Sequence, residues 1–309
     1  MTLPNIDQFG EKRTDSPYWN ESCWFAFSVP ERKIHGFFYY FFRPNMNLLV
    51  GGPAMWDDSG ANSYDCLFYD WQHIQAMPEG AEKFNFRAEN GMAVELLEPW
   101  KQYRLLYDRH DFKLDLVWTA ISEPHDFGGL EETTSGATGH RMHLEQCGRV
   151  TGTIRYKGEE FAVDSYSLRD TSFGERHFGQ VMRGSYFSGI ASPDLAFHTL
   201  TIGGDGEQKV AGGFLIKDGV MASLVGGSRR VTEEGKYTPA AFAFDMEDKL
   251  GRTLSLTARS SSHLIFPGYP DVPTVWSYLD WETEGQTGLL GDLQEFYPAA
   301  DFRLRLRGQ

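Results

Sequence analysis

The chain has 309 residues, with 29 Lys and Arg against 43 Asp and Glu and a formal net charge of −14. This charge opposes binding to nucleic-acid phosphates or to anionic membrane surfaces, so no nucleic-acid partner is expected. Hydrophobic residues make up 41% of the chain and charged residues 23%, which is typical of a folded protein with a large core. Aromatic residues make up 15%, enough to line a wide pocket.

Cysteine usage and hydropathy predict the compartment. Cys23, Cys66 and Cys147 are widely spaced and form no CxxC pair, which favours reduced thiols over a disulfide framework or a zinc site. The chain shows neither a signal-peptide pattern nor an apolar run of bilayer length. We therefore expect a cytoplasmic location and no integral membrane association, and the sequence is compatible with a homodimer.

Period-2 alternation runs through the chain and predicts strands. Residues 36–42 read GFFYYFF, aromatic on both faces, which indicates a core strand, a ligand wall, or both at once. Leu114, Leu116 and Trp118 alternate with other residues, as do residues 150–156, so each segment predicts a half-buried strand. The polar stretch Glu131 to Thr138 predicts a loop tip.

Turn chemistry and the C-terminal pattern complete the predicted fold. Dipeptides typical of hairpin turns separate the strand-like runs: Lys157-Gly158, Asp205-Gly206, Asp218-Gly219 and Glu234-Gly235. Phe302, Leu304 and Leu306 alternate with arginines, which predicts a closing strand. Sequential antiparallel strands bury their edges by closing into barrels that can hold a ligand. The prediction is an all-β chain of two barrel halves, residues 1–148 and 149–309.

Familiar catalytic motifs are missing from the sequence. It has no GxSxG elbow, phosphate loop, HExxH helix or dinucleotide fingerprint, so no cofactor is expected. His140 and His143 lie three residues apart, which on a strand places them on opposite faces. No metal is therefore expected, although a His/carboxylate site assembled from distant strands remains an open alternative. His110, His125 and His177 are further candidates for such a site.

The segment from Tyr166 to Arg176 carries the most specific pattern. It begins as a strand and continues as RDTSFGER, which suggests a strand end at the rim of a barrel. Burial would raise the pKa of Asp170, whereas Arg169 or Arg176 would lower it. From the residue types alone, Asp170 is either an ion-pair partner of arginine or a catalytic acid.

This segment also resembles a known family. The string RDTSFGERHFG is similar to the D-H-x-W-G type motif of the family that unites AttH-like proteins with bacterial carotenoid 1,2-hydratases, also called hydroxyneurosporene synthases. Residues 96–104, 114–120, 123–126 and 143–152 read like other parts of the same family, and the resemblance covers about Trp56 to Arg176. It implies two packed lipocalin-like β halves.

The resemblance also implies a chemistry. The family includes hydratases, dehydratases and cyclases of polyenes and polyketides, and its motif Asp, the proton-donor candidate in the hydratases, corresponds to Asp170. The His and Trp that follow in the motif are replaced here by Thr171 and Phe173. This departure removes a proton-relay partner and a ring N–H, while Asp170 is still able to act.

Protonation of an alkene requires an acid, a dry cavity and rings that stabilise positive charge. The catalytic candidates are Asp170 as acid, Glu145 as the group that orients water or takes a proton back, and Asp280 as a second acid. The substrate-binding candidates are mostly aromatic: Trp56, Tyr64, Trp71, Trp118, His143, Phe173, Trp276, Tyr278, Trp281 and Glu295, of which Glu295 is also a third acid candidate. Trp276, Tyr278 and Asp280 share one strand face.

These residues support three hypotheses. The leading one is a cofactor-independent enzyme that hydrates, dehydrates, isomerises or cyclises an unsaturated apolar molecule such as a terpenoid or polyketide. The second is a non-catalytic carrier that holds an apolar ligand in the same cavity. The third is a structural or interaction module, which would have no sizeable apolar cavity.

Overall fold

The computed structural model describes residues 7–10, 14–127, 140–176, 183–269 and 272–308, and strands dominate it. This confirms the predicted all-β class. The chain divides into two compact units, the first of residues 1–55 and 68–177 and the second of residues 56–67 and 178–309. The described part of the chain contains no helix with the length and apolar composition that a membrane span requires.

The first unit is built on a sheet whose strands follow the order β4-β3-β2-β1-β12-β11-β9-β8-β7-β6, with β5 on β3 and β10 on β11. Its strands are β1 (Trp19–Val29), β2 (Ile34–Arg43), β3 (Leu48–Trp56), β4 (Phe68–Tyr69), β5 (Gln72–Ala76), β6 (Phe86–Arg87), β7 (Met92–Glu98), β8 (Gln102–Arg109), β9 (Phe112–Ala120), β10 (His125–Asp126), β11 (His140–Tyr156) and β12 (Glu159–Glu175). Short 3₁₀ turns at Pro30–Arg32 and Pro44–Met46 connect β1 to β2 and β2 to β3.

This sheet curls, so that one face encloses a core. Phe25 on β1 lies 5.7 Å from Tyr103 on β8 and 6.1 Å from Trp118 on β9, measured between ring centroids. These strands are separated in the sheet by β12 and β11, so the contacts require strong curvature. We call the enclosed side the inner face and the opposite side the outer face.

The second unit is a closed eight-stranded antiparallel barrel in which β13 pairs with both β14 and β20. Its elements are β13 (Gly184–Ser192), β14 (Leu195–Gly203), β15 (Glu207–Lys217), β16 (Val220–Glu233), β17 (Ala241–Asp248), β18 (Thr253–Phe266), β19 (Thr274–Thr283), β20 (Gln286–Phe296) and helix α1 (Ala299–Leu306). Phe187, Phe244 and Trp281 belong to the apolar cluster that fills the barrel. Closure leaves no strand edge unpaired.

Three of the predicted turns join neighbouring strands directly. Lys157 and Gly158 both have positive φ, 50° and 83°, as a two-residue hairpin between β11 and β12 requires. Asp218-Gly219 joins β15 to β16 and Asp205-Gly206 lies between β14 and β15. Glu234-Gly235 instead begins a longer connection between β16 and β17. The predicted loop tip at 131–138 lies outside the described residues.

Two sequence-based expectations differ from the structure. The predicted closing strand at residues 302–306 is helix α1, in which Phe302 is buried while Leu304 and Leu306 are 48% and 43% exposed. The reason is that β20 has already closed the barrel, so no open edge remains for another strand. The expected boundary at 148/149 falls inside β11, whose residues pair with β12 from His140 to Tyr156, and the compact units divide at 177/178.

Candidate active site

Strand register brings the leading candidates together on the outer face of the first unit. Asp170 on β12 lies opposite Glu145 on β11 and opposite Trp24 on β1. One step along the same face, Ser172 lies opposite His143 and opposite Ser22. Because directly opposed residues share a face, and residues two apart on a strand do also, these side chains form two adjacent rows.

His143, Glu145 and Asp170 form a compact acid cluster. His143 Nε2 lies 3.1 Å from Glu145 Oε1 and 3.9 Å from Asp170 Oδ2. The three side chains are only 12%, 3% and 24% exposed. Asp170 Oδ1 is buried and has no hydrogen-bond partner among the residues that the structure describes. Among the described residues this oxygen is therefore an unused hydrogen-bond acceptor.

The ionisation of the cluster is strongly perturbed. Burial raises the pKa of Asp170, and the charge of Glu145 raises it further, against the opposing effects of His143 and Arg176. Burial alone would lower the pKa of His143, but hydrogen bonds and charges from Asp170 and Glu145 outweigh it and raise that pKa to about 9. At neutral pH the site therefore holds His143 as an imidazolium, beside a carboxyl group whose pKa is raised above its ordinary value.

A hydroxyl network adjoins the acid cluster. Ser22 Oγ and Ser172 Oγ lie 2.6 Å apart, and Arg176 Nη2 donates to Ser172 Oγ at 3.0 Å. The Arg176 guanidinium also donates to the Tyr39 hydroxyl at 3.4 Å. This network places a positive charge and polar donors on the outer face, where an oxygen of a bound molecule could be held.

Aromatic side chains cover the rest of this region of the outer face. Tyr39 lies opposite Trp24, and Phe41 lies opposite Ser22, on β2. Trp71 packs against Tyr39 and Phe41, with ring centroids 5.1 and 6.0 Å away. Trp24, Tyr39, Phe41 and Trp71 are all buried, and we call them the aromatic wall. Rings of this kind stabilise a developing cation without attacking it.

The aromatic run at residues 36–42 therefore serves both faces of the sheet. Tyr39 and Phe41 belong to the aromatic wall, whereas Tyr40 and Phe42 pack against Phe86 with centroids 4.9 and 5.1 Å apart. Alternation along β2 places the two sets on opposite sides. The core strand expected from the sequence is therefore observed for Tyr40 and Phe42, while the ligand wall remains a prediction for Tyr39 and Phe41.

The replaced motif positions face away from Asp170. Thr171 Oγ1 donates to the carbonyl oxygen of Ser22 and lies 3.6 Å from Cys23 Sγ. Phe173 packs with Met142 and Leu144, so it too lies on the inner face. The expectation that Thr171 removes a relay partner of Asp170 is wrong in this geometry, because a residue at position 171 points to the opposite face. Among the described residues, the titratable neighbours of Asp170 on the outer face include His143 and Glu145.

The other ring candidates lie elsewhere. Trp118 is fully buried on the inner face of the first unit, beside Phe25 and Tyr103. In the second unit, Trp56 lies 6.4 Å from Trp276 and donates its ring N–H to the carbonyl oxygen of Ser262. These side chains are not part of the acid cluster or of the aromatic wall.

Further candidates have structural or surface positions in the second unit. Trp281 belongs to the barrel core and donates to the carbonyl oxygen of Leu290, and Tyr278 is buried on the opposite face of β19. Tyr64 is 98% exposed, so its expected place in a buried pocket is wrong.

The remaining acid candidates do not join the cluster either. Asp280 is partly exposed, lies opposite Arg259, and lines a cavity of about 310 Å³. Glu295 is fully buried and accepts hydrogen bonds from both Nη atoms of Arg229 at 2.7 and 2.9 Å. An arginine-paired carboxylate has no free oxygen for a substrate proton, so the structure gives Glu295 an ion-pair role.

The acid cluster is also the group that could hold a metal ion among the described residues. One ligand atom each from His143, Glu145 and Asp170 can be chosen within 4.8 Å of one another. These ligand atoms come from the directly paired strands β11 and β12, whereas the open metal alternative expected ligands from distant strands. The side chains of His140 and His177 lie outside the described residues. A metal here would need a neutral His143, and the raised pKa of His143 disfavours that form at neutral pH.

Sequence reasoning missed Trp24, Ser22, Tyr39 and Phe41 as individual site residues. Trp24 and Ser22 lie in an uninterrupted buried strand, WNESCWFAFSV, which carries no chemical motif. A signal was present in the alternation of that strand, since Ser22 and Trp24 share one face. Which face it is depends on pairing with β12, which lies more than a hundred residues later in the chain.

The raised pKa of His143 predicts a pH dependence of stability. Its pKa in the unfolded chain is near the ordinary 6.5 and about 9 in the fold, so charged His143 stabilises the fold fully below pH 6.5. This contribution, about 3 kcal/mol for such an interval, is lost as pH rises through 9. We expect the free energy of unfolding in urea to fall more steeply from pH 6.5 to 10 in the wild type than in His143→Gln.

His263 provides a matched control for that measurement. Burial lowers the pKa of His263 to about 4, so it stays neutral throughout the tested range. The variant His263→Gln is expected to retain the wild-type slope. Equal slopes in the wild type and His143→Gln would show that His143 is not held charged by the two carboxylates.

Solved structures of known proteins show which fold this is. The chain is similar to an AttH candidate from Nitrosomonas europaea, with TM-score 0.54, 15% identity and 91% of each chain covered. It is similar to kievitone hydratase from Nectria haematococca, with TM-score 0.55 and 10% identity over 90% of this chain and 89% of that one. CghA, solved with Sch210972, gives TM-score 0.57 and 9% identity over 91% and 89%.

At these identities the similarity concerns the fold alone, and it confirms the resemblance to AttH-like double lipocalin-like proteins at that level. A comparison of the sequence with curated proteins finds no match. The family model described as Domain of unknown function (DUF7064) matches residues 7–293. This match covers most of the sequence, and the chain belongs to the DUF7064 family.

Proposed function

We propose that this protein is a cofactor-independent acid–base enzyme acting on an unsaturated apolar small molecule such as a terpenoid or polyketide. The observation that carries the proposal is Asp170 Oδ1, which is buried, has no hydrogen-bond partner among the described residues, and belongs to a carboxyl group of raised pKa. General acid catalysis is favoured by a carboxyl group whose pKa is raised toward the working pH.

His143 and Glu145 can stabilise the Asp170 carboxylate after proton transfer and restore its proton. When Asp170 gives up its proton, the resulting carboxylate faces the His143 imidazolium 3.9 Å away, which stabilises the new charge. Glu145 holds His143 from the other side at 3.1 Å. His143 can then return a proton to Asp170, so the cluster can complete a catalytic cycle.

The proposed chemistry starts with proton transfer from Asp170 to a carbon of a double bond, which leaves a carbocation beside the aromatic wall. Three outcomes follow from the same cation. Attack by water, with its proton passing to Glu145, gives hydration, and loss of a neighbouring proton to the Asp170 carboxylate gives an isomerised alkene. Attack by a second double bond closes a ring and moves the positive charge to a new carbon, which then loses a proton to the Asp170 carboxylate. Dehydration is the reverse of hydration: the acid protonates a hydroxyl group, water leaves, and a carboxylate takes the neighbouring proton. Trp24, Tyr39 and Phe41 would stabilise the cation in each case.

The similar structures support this proposal without fixing the reaction. One of them is named a hydratase, and another was solved with a bound compound, Sch210972. The fold therefore accommodates hydratase chemistry and small-molecule ligands in other proteins. Four statements about this chain are therefore proposals: the class of substrate, the direction of the reaction, a cytoplasmic location and a homodimer.

The first experiment is native mass spectrometry of freshly purified protein, followed by organic extraction and identification of the released molecule. We expect a polyene, terpenoid or polyketide, which is then incubated with the enzyme in D₂O. Deuterium at carbon, or a mass increase of one water, identifies a protonation reaction. Binding without any exchange or conversion would instead favour the carrier, the runner-up function.

Elemental analysis of the same sample tests the acid cluster itself. We expect no stoichiometric transition metal, because charged His143 cannot act as a ligand. Stoichiometric zinc or iron that is lost in His143→Gln and Asp170→Asn would overturn the proton-donor role and make the cluster a metal centre.

A further inference from the structure

Two buried arginines in this protein have opposite surroundings. Arg169 and Arg229 are each 1% exposed, one on the inner face of the first unit and one inside the barrel of the second. The two Nη atoms of Arg229 are occupied by the carboxylate of Glu295. The two Nη atoms of Arg169 are buried and have no hydrogen-bond partner among the described residues.

The Arg169 side chain is held in place through its remaining nitrogen. Arg169 Nε donates to Gln146 Oε1 at 2.9 Å. The amide of Gln146 is itself oriented, because its Nε2 donates to the carbonyl oxygens of Trp100 and Ser122 at 3.1 and 2.8 Å. The guanidinium is thus fixed at Nε, while both of its Nη donors are unused among the described residues.

Aromatic rings surround this fork. The guanidinium carbon of Arg169 lies 4.5 Å from the ring centroid of Tyr103, 5.3 Å from that of Trp118 and 5.5 Å from that of Phe84. The rings stabilise the cation through their faces but accept no conventional hydrogen bonds from its N–H groups. Trp118 Nε1 is likewise buried without a hydrogen-bond partner in the described part of the chain.

From this geometry we propose that the inner face of the first unit binds a small carboxylate ligand at Arg169. The two carboxylate oxygens would accept from Nη1 and Nη2, as those of Glu295 do from Arg229. The unused N–H of Trp118, whose ring lies against the same guanidinium, would be a third donor. The remainder of the ligand would be apolar or aromatic, since Phe25, Phe84 and Tyr103 line this side. Without such a ligand, the buried Nη donors of Arg169 have no acceptor among the described residues, which is energetically unfavourable.

The site is distinct from the acid cluster. Arg169 and Asp170 are consecutive residues of β12, so their side chains point to opposite faces of the sheet. Asp7, the neighbouring acidic side chain on this face, accepts a hydrogen bond from the Tyr103 hydroxyl and another from the backbone N–H of Trp100. Neither Nη atom of Arg169 has a hydrogen-bond partner among the described residues, so Asp7 does not occupy the fork.

The test compares benzoate with benzamide, which has the same shape without the charge, on the full-length protein in chloride-free buffer. Isothermal titration calorimetry and tryptophan fluorescence are both expected to show saturable benzoate binding and at least tenfold weaker benzamide binding. Absence of saturable benzoate binding, or equal affinity for benzamide, would overturn the proposal. If chloride competed with benzoate and bound with equal affinity, the site would be one for an inorganic anion. That result would also overturn the proposal.

Two variants assign the binding to this fork. Arg169→Lys keeps the charge and removes the planar fork, and is expected to weaken benzoate binding at least tenfold. Trp118→Phe removes a single donor and keeps a ring, so we expect a loss of about fivefold and of most of the fluorescence response. Unchanged affinity in a folded Arg169→Lys or Trp118→Phe protein would place the ligand elsewhere.

Matched controls separate this site from general effects. Trp281→Phe removes the N–H of another fully buried tryptophan, one that already donates to Leu290, and should leave benzoate affinity unchanged. Asp170→Asn should also leave it unchanged, because the acid cluster is on the other face. A loss of benzoate binding in Asp170→Asn would mean that benzoate occupies the acid cluster, which would contradict the proposed inner site.

Discussion

Replacement of Asp170 by Asn is expected to reduce turnover by about 10²–10⁴-fold, the usual contribution of a general acid. Asn has nearly the same shape and cannot donate a carboxyl proton, so affinity for the bound apolar molecule should change little. The measurement is the rate of deuterium incorporation or product formation, with ligand affinity determined in parallel. The raised pKa of Asp170 further predicts that wild-type turnover declines as pH rises and the carboxyl group ionises.

Asp280→Asn is the control for this prediction. Asp280 was the second acid candidate from the sequence. It is partly exposed, lines a cavity in the second unit and lies opposite Arg259. We expect its replacement to leave turnover close to that of the wild type. If Asp280→Asn abolished turnover while Asp170→Asn retained it, the proton donor would be Asp280 and the role given to the acid cluster would be wrong.

Glu295→Gln is expected to give the largest loss of stability, about 3–5 kcal/mol, because it leaves the buried Arg229 guanidinium without a counter-charge. Glu295 is fully buried, and its carboxylate pairs with Arg229 and lies 3.5 Å from Arg183. Gln retains the size of the side chain but leaves Arg229 charged inside the barrel. Urea unfolding of the purified variant, followed by tryptophan fluorescence, measures the change directly.

An exposed ion pair provides the comparison. Glu207 lies 2.6 Å from Lys209, with both side chains at least half exposed, so solvent already screens the pair. Glu207→Gln is expected to leave the free energy of unfolding almost unchanged. A Glu295→Gln protein as stable as Glu207→Gln would mean that Arg229 is not an obligate partner of Glu295, and Glu295 would return to the list of acid candidates.

Much of the fold was predictable because its strands and hairpin turns depend on patterns of neighbouring residues. Alternation identifies β9, β11 and β12, and paired residues such as Lys157-Gly158 mark hairpins through their tolerance of positive φ. Helix α1 was not predictable in this way. Its three alternating apolar residues fit a strand, and only the closure of the barrel by β20 removes the edge that such a strand would need.

The candidate site was partly predictable. The motif resemblance pointed to Asp170, and the neighbouring stretches that resemble the same family contain Glu145 and His143. Trp71 came from its residue type alone. Tyr64 and Glu295 had equally suitable residue types, yet one is exposed and the other is paired with arginine. Residue type therefore selected candidates without distinguishing a site from a surface or an ion pair.

The sequence alone determined the strand periodicity, the hairpin turns and the acidic, aromatic-rich character of the chain, because each depends on neighbouring residues. The tertiary structure decided which side chains meet. Asp170 lies beside Glu145 and Trp24 only because β12 pairs with both β11 and β1 in a specific register. A shift of one residue would turn Asp170 to the inner face and Arg169 to the outer one, since successive side chains of a strand point in opposite directions.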